Sequence, residues 1–227
     1  MTAKDMFSHR VSILTGHYGT GKTDVSVNLA PALAAEGEQV MLADLDILHP
    51  YFRSRERRPL LEKAGVRVIS SSQACSDADV PALPAELLTI LENREIRGIL
   101  DIGGDPVGAR VLARFQPKIV QEDYQLIFVL NANRPEVRDA ESAAAYLRSI
   151  EAVTGLTCSG LVNNTHLCGE TTPAEIRKGV ALAQEVSRQT GIPILCHTAE
   201  RRFLESLSDL GEPVFPIAIN MKKPWER

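Results

Sequence analysis

Residues Gly16 to Thr23 read Gly-His-Tyr-Gly-Thr-Gly-Lys-Thr, and Gly16, Gly21, Lys22 and Thr23 meet the spacing G-x-x-x-x-G-K-[ST]. Such a stretch folds usefully in one way. Glycines let the backbone curl so that successive N–H groups turn inward toward a polyphosphate. Lys22 is then expected to reach the terminal phosphates, and the Thr23 hydroxyl a Mg²⁺ ion. A helix from Thr23 to about Ala35 adds its positive end beneath the phosphates. Chance alone produces the spacing in about one chain in a hundred of this length. Here it also lies between an apolar run ending near Thr15 and an Ala/Leu/Val-rich segment, the strand and helix that the mechanism requires. His17, Tyr18, Gly19, Thr20 and Asp24 complete the expected nucleotide-binding set.

The rest of the chain repeats that strand-then-helix alternation. Short apolar runs occur at Val11–Leu14, Val40–Ala43, Val66–Ile69, Ile99–Ile102, Leu126–Leu130, Gly160–Val162 and Ile194–Cys196. Most are continuously apolar, as suits strands covered on both faces. Val137, Ala140, Ala144, Leu147 and Ile150 recur at helical spacing, as do Ile176, Val180, Ala183 and Val186. Pro135 and Pro173 are expected to open these helices, and Gly155 and Gly191 to close them. The pattern predicts an α/β fold: a doubly wound, mainly parallel sheet of about seven strands with helices on both faces. One domain over residues 1–227 is expected. Within it, residues 212–227 form a proline-containing tail in which Val214–Ile219 could add an edge strand.

Two aspartate groups follow apolar runs: Asp44-Leu45-Asp46 and Asp101-Ile102-Gly103-Gly104. A phosphate loop needs carboxylates at neighbouring strand ends, where they face the metal and the terminal phosphate. Asp101 is expected to hold Mg²⁺ through a water and the Gly104 amide to sense the terminal phosphate.

Composition narrows the setting. A formal net charge of −4 disfavours nucleic acid as the main partner. The cysteines Cys75, Cys158, Cys168 and Cys196 form no CxxC pair, which suggests neither a disulfide framework nor a standard zinc site. The first residues lack a signal-peptide pattern, and no run approaches the ~18 apolar residues of a membrane span. A reduced, cytoplasmic, soluble protein is expected.

GHYGTGKT, LADLD, ILDIGGDPVG and NANRPEVRDA, in that order, resemble the MinD/ParA family of nucleotide-binding proteins, also described as CobQ/CobB/MinD/ParA, over roughly Val11 to Glu200. The resemblance implies ATP and Mg²⁺ as cofactors, ADP as product, and slow hydrolysis of the γ-phosphate. It places Asp46 near the attacking water and matches Asp101 to the next motif strand, so that Lys22, Asp46 and Asp101 form the catalytic set, and Thr23, Asp46 and Asp101 the metal set. It also implies that an asparagine at the strand end Leu161–His166 reads adenine, with Asn163 and Asn164 as alternatives. That strand end lacks the lysine and aspartate of the guanine-reading N-K-x-D. The family commonly forms a dimer, and its lysine at the second loop position reaches the partner's nucleotide. This chain carries His17 there, a shorter group that titrates near neutrality.

The stretch from His49 to Arg58 holds four arginines and two aromatics in ten residues. It admits a γ-phosphate clamp, a site for a small anionic substrate or a docking surface for a protein client, with Arg53 and Arg55 foremost. It equally admits a solvated helix start with Tyr51 and Phe52 in the core. Two further activities stay open: an enzyme using ATP to activate a carboxylate, like the dethiobiotin-synthetase and cobyrinate-amidase relatives, and a nucleotide sensor with negligible turnover. Cys158, His166 and Cys168 leave a minor metal role open beside the expected one of buried thiols.

Overall fold

A computed structural model describes residues 1–46, 57–70 and 85–219. In chain order the elements are α1 (Ala3–Met6), β1 (Val11–Thr15), α2 (Lys22–Ala35), β2 (Gln39–Asp44), α3 (Arg58–Lys63), β3 (Arg67–Ser70), α4 (Ala85–Glu92) and β4 (Ile96–Asp101). There follow α5 (Pro106–Ala109), α6 (Gln116–Ile119), β5 (Tyr124–Leu130), α7 (Ala140–Thr154), β6 (Cys158–Asn163), α8 (Pro173–Thr190), β7 (Ile194–Glu200) and β8 (Val214–Ile217).

The strands form one sheet in the order β3-β2-β4-β1-β5-β6-β7-β8. Every pairing is parallel. This is the α/β fold expected, with β8 as an eighth strand contributed by the tail. The continuously apolar runs are explained by what lies on each face. Ile13, Met41, Leu100 and Phe128 face one core with Leu87, Leu147 and Leu182. Their neighbours Leu14, Leu42, Ile99 and Ile127 face the other with Val25, Leu29, Leu33 and Leu61. Side chains alternate across a strand, so a strand covered on both faces needs apolar residues at successive positions.

Local signals fix the helix ends. Thr172 caps α8 through Glu175 N–H, with Pro173 in its first turn; Gly191 ends it at φ 75°. Gly155 ends α7 at φ 68°. Pro135 differs from expectation: it opens a three-residue 3₁₀ turn, and α7 starts only at Ala140. Asp139 is the reason, because its carboxylate accepts the Ser142 N–H and sets the cap there.

Topology places the loop. From β1 the chain runs outward on one side to β2 and β3, returns to β4, then crosses to β5 on the other side. The C-terminal end of β1 is therefore the point where the winding reverses, the usual crevice for a ligand in such sheets. Two ties brace it. Asn28, midway along α2, donates Nδ2 to the Ala218 carbonyl (2.9 Å) and accepts the Ala218 N–H (2.8 Å), joining α2 to the chain just after β8. Gly179 of α8 lets that helix sit directly on the end of β6: a Cβ there would lie 2.1 Å from Thr165 Oγ1 and 2.2 Å from Asn163 Oδ1.

Gly179→Ala therefore sets a helix-propensity gain of about 1 kcal/mol against overpacking of about 1–3 kcal/mol. Both atoms in the way are hydrogen-bonded acceptors and cannot swing aside freely. Net destabilisation is expected, read as a lower urea midpoint. A raised midpoint would show that the helix does not approach so closely.

Candidate functional site

The glycine loop joins β1 to α2. Gly16 (φ 139°) and Gly21 (φ 84°) take backbone conformations that side chains disfavour. Space excludes side chains as well: a Cβ on Gly16 would stand 2.4 Å from the Val129 carbonyl, and one on Gly21 2.2 Å from Asn164 Nδ2. The His17 carbonyl accepts both Thr20 N–H (3.1 Å) and Thr20 Oγ1 (2.9 Å), closing the curl. Asp24 lies buried in the first turn of α2.

On one flank of the loop stand the carboxylates. Asp44 and Asp101 are register partners on adjacent strands, and both are buried. Lys22 is buried too, and burial depresses its pKa against the opposing pull of Asp101, Asp46 and Asp105. Burial, then the neighbouring Asp44 charge, pushes Asp101 up to about 8; Lys22 and the Thr23 hydroxyl work against them. Neither Asp101 oxygen has a hydrogen-bond partner of normal geometry. The Thr15 hydroxyl, at the end of β1, is likewise unpartnered. Asp46 is less buried: its N–H meets Asp44 Oδ1 at 3.3 Å, and its own Oδ1 lies 3.6 Å from where a Gly103 Cβ would be. A buried carboxyl group with no donor in normal geometry, beside the Thr23 hydroxyl and a glycine cradle, fits a hard cation bound with phosphate oxygens. Mg²⁺ characteristically takes one or two carboxylates and keeps other oxygens as ligands.

The turn after β4 presses on the loop. A Cβ on Gly104 would fall 2.5 Å from Lys22 Nζ and 2.9 Å from both the Gly16 carbonyl and the Tyr18 nitrogen. The Tyr146 hydroxyl, from α7, donates to the Gly104 carbonyl. Burial, then the charges of Asp105 and Glu136, pushes that phenol up to about 12, keeping it a donor. His17 packs edge-on against Tyr146 with ring centroids 5.0 Å apart, and its Nδ1 lies 3.8 Å from Glu136 Oε2. The second loop position thus faces α7 of its own chain.

On the opposite flank, Asn164 donates Nδ2 to the carbonyls of Thr20 (2.9 Å) and Gly21 (3.2 Å) and accepts the Thr198 hydroxyl. Arg134 donates Nε to the Gly19 carbonyl at 2.7 Å. Asn163 turns away from the loop: its Oδ1 accepts Thr165 N–H, and its Nδ2 lies near the Ile176 carbonyl and His197. Both asparagines, expected as alternative base readers, are fully buried and bond within the protein. Asn164 supports the loop, and Asn163 ties the end of β6 to α8 and β7.

Arg53 and Arg55, with the stretch 47–56, lie outside the described residues, as does Cys75. Arg58 is described and packs locally, donating to the Val68 carbonyl at 3.1 Å. Cys158 is a buried thiol pushed up to about 12 by burial. It opens β6 whereas His166 lies beyond the other end of that strand. Among the described residues no group of three His, Cys, Asp or Glu side chains is placed to hold a metal by itself. Among them, too, no helix is long and apolar enough to cross a membrane.

Sequence reasoning missed three contributors. Asp44 was legible as a strand-end carboxylate, and only the β2–β4 register shows it facing Asp101. Arg134 was visible as a cation after a strand. Tyr146 carried no signal, because its role arises from helix packing.

Comparison with protein-family models finds no match, and none of the curated proteins matches. Solved structures do share the fold. FtsY, the cell division protein of Thermotoga maritima, superposes with a TM-score of 0.55 at 22% identity, covering 81% of this chain and 59% of that one. The signal recognition particle 54 kDa protein of Aeropyrum pernix, in complex with GDP, gives 0.52 at 23% identity over 82% and 40%. The signal recognition particle receptor FtsY of Elizabethkingia anophelis, also with GDP, gives 0.51 at 16% identity over 81% and 55%. The chain thus spans about half the length of these structures. Its own fold is that of a P-loop NTPase.

The Asp101 shift carries a sign that can be measured. Its folded-state pKa lies above the ordinary 3.8, at about 8, so the folded state holds the extra proton between those values. Asp101 therefore withdraws stability as pH rises through that window. Asp101→Asn, free of nucleotide and metal, is expected to gain in melting temperature relative to the unaltered protein between pH 5 and pH 8. A constant difference across that range would remove the buried-charge account.

Proposed function

We propose that the chain is a Mg²⁺-dependent nucleoside-triphosphate-hydrolysing switch of MinD/ParA-like type. The observation that supports this most is the buried Lys22 with Asp101, whose two oxygens meet no hydrogen-bond donor in normal geometry, at the mouth of the glycine loop. An isolated structural ion pair would satisfy those oxygens, since an unpaired buried carboxylate is costly. A site for a cation and a polyphosphate accounts for leaving them so weakly satisfied.

In this reading Asp101 and Thr23 hold the metal, with Asp46 beside them. Bound Mg²⁺ neutralises charge on the phosphate oxygens. Lys22 places a fixed positive charge at the terminal phosphates, where charge develops as the β–γ bond breaks. Asp46, less buried than Asp101, orients the attacking water. The Gly104 N–H senses the γ-phosphate, and Tyr146 steadies that turn through its carbonyl. The switch segments are the turn from Asp101 to Pro106 and the stretch from Asp46 to Arg58. His17 already engages Tyr146, so it is not the free cation that would serve a second subunit's nucleotide; a homodimer, if formed, would activate by other residues.

The motif resemblance argues for ATP. The solved GDP complexes that share the fold are reason to test GTP beside it. A client protein or anionic substrate near Arg53 and Arg55 belongs to the same proposal.

Phosphate release from ATP and from GTP, with Mg²⁺, tests it. Lys22→Ala and Asp46→Asn are each expected to lower kcat at least about a hundredfold, the scale for losing one electrostatic contact to the transition state. Tyr146→Phe is expected to change kcat by less, about tenfold, with KM nearly unchanged. Turnover unaffected by Lys22→Ala would rule out hydrolysis at this loop.

A further inference from the structure

The β2–β4 flank of the loop carries Lys22, Asp46 and Asp101 and so receives the terminal phosphates. The nucleoside end then falls on the other flank, where β5, β6 and β7 finish. Hydrogen-bond donors there are mostly spent. Both N–H groups of Asn164 go to loop carbonyls, and Arg134 Nε goes to Gly19.

Among the described residues, the buried side-chain donors without a partner near these strand ends include Asn133 Nδ2 and a ring N–H of His166, and of these two His166 adjoins the glycine loop. The Cys168 N–H donates to His166 Nδ1 at 3.2 Å, which makes Nδ1 the acceptor of the ring. Burial, then the nearby Arg134 charge, lowers His166 to about 4, so the ring is neutral at ordinary pH. Its one proton is therefore on Nε2. That atom is buried without a partner, 3.1 Å from where a Gly21 Cβ would be, and the whole residue is 9% exposed. A buried N–H with nothing to meet is costly, and such atoms call for a ligand or a role.

We propose that His166 donates its Nε2–H to N7 of a bound purine, and that the site therefore accepts adenine and guanine nucleotides alike. This rests on the nucleotide-binding reading above and names the substrate class for it. N7 is an acceptor on the same edge of both bases, whereas the neighbouring group is a donor in adenine and an acceptor in guanine. A single fixed donor reads what the two share. Selecting guanine would need a carboxylate against its N1 and N2 protons. The acidic group acting on His166 from β7 is Glu200, and its Oε1 already accepts Arg202 at 2.7 Å.

Titration calorimetry of the full chain with Mg²⁺ and ATP, GTP, 7-deaza-ATP and 7-deaza-GTP tests this, with His166→Phe and His166→Gln alongside. ATP and GTP are expected to bind within about tenfold of each other. Replacing N7 by carbon should weaken each about tenfold, the worth of one hydrogen bond. The same replacement should cost nothing in His166→Phe and should cost again in His166→Gln, which restores an amide donor. Equal binding of parent and 7-deaza nucleotides to the unaltered protein would overturn the inference while leaving nucleotide binding intact. So would a preference between ATP and GTP above a hundredfold. If the folded protein binds none of the four, the nucleotide reading falls and the inference with it. Because the 7-deaza comparison uses the unaltered protein, it decides even if a variant fails to fold.

Discussion

The burial of Lys22 against Asp101 is the interaction on which the rest of the site depends. Each charge alone would be expelled from the end of a fully covered sheet, and even together they are strained: burial lowers one pKa and raises the other. Asp44, in register with Asp101 on the adjacent strand, adds repulsion. Stability alone does not select such an arrangement, because a well-packed apolar pair is often at least as stable as a buried ionic one. What the cluster provides is a buried acid held protonated to about pH 8 and a desolvated lysine, at the reversal point of the sheet.

The remaining contacts fix the loop around that pair. From the β6 and β7 side, Thr198 holds Asn164, and Asn164 holds the Thr20 and Gly21 carbonyls. From the β5 side, Arg134 holds Gly19. From α7, Tyr146 holds Gly104, and His17 packs on Tyr146. These groups come from four separate parts of the chain. The ties from Asn164 and Arg134 end on carbonyls of the loop itself, those of Thr20, Gly21 and Gly19, and so fix the path of its backbone.

How much of this could be read in the sequence follows from the range of each signal. The loop was legible because it is one contiguous motif whose glycines have no substitute. The sheet was legible because doubly covered strands must be apolar at successive positions, as Ile13-Leu14 and Ile127-Phe128 are. Asp101 was legible as a carboxylate closing such a strand. Long-range pairings were not. Nothing in the sequence distinguishes Tyr146 from an ordinary half-buried helix residue. Nor does it show that Asn163 and Asn164, adjacent and identical, turn to different partners. Strand alternation sends them to opposite sides, one toward α8 and one toward the loop. The start of α7 was misplaced by five residues because Pro135 and Asp139 both favour a helix start, and the side-chain cap prevailed.

The tie between Asn28 and Ala218 bears on how the molecule can move. It fastens the middle of α2, the helix that follows β1, to the chain just after the edge strand β8, which three strands separate from β1, by a reciprocal pair of hydrogen bonds. The helix carrying Lys22 is thereby anchored at both ends of its first two turns: by the loop at its start and by the chain end at its waist. Rigid-body travel of α2 would have to tear the β8 edge away from its seat. The Asp101–Pro106 turn is tied at its ends, where the Asp101 carbonyl accepts Leu45 N–H, Ile102 N–H donates to Leu14 and Asp105 caps α5, while the Tyr146 phenol holds the carbonyl of Gly104 between them. Were the proposed hydrolysis to drive a movement, that turn would pass it to α5 and, through Tyr146, to α7, with α2 as the braced reference.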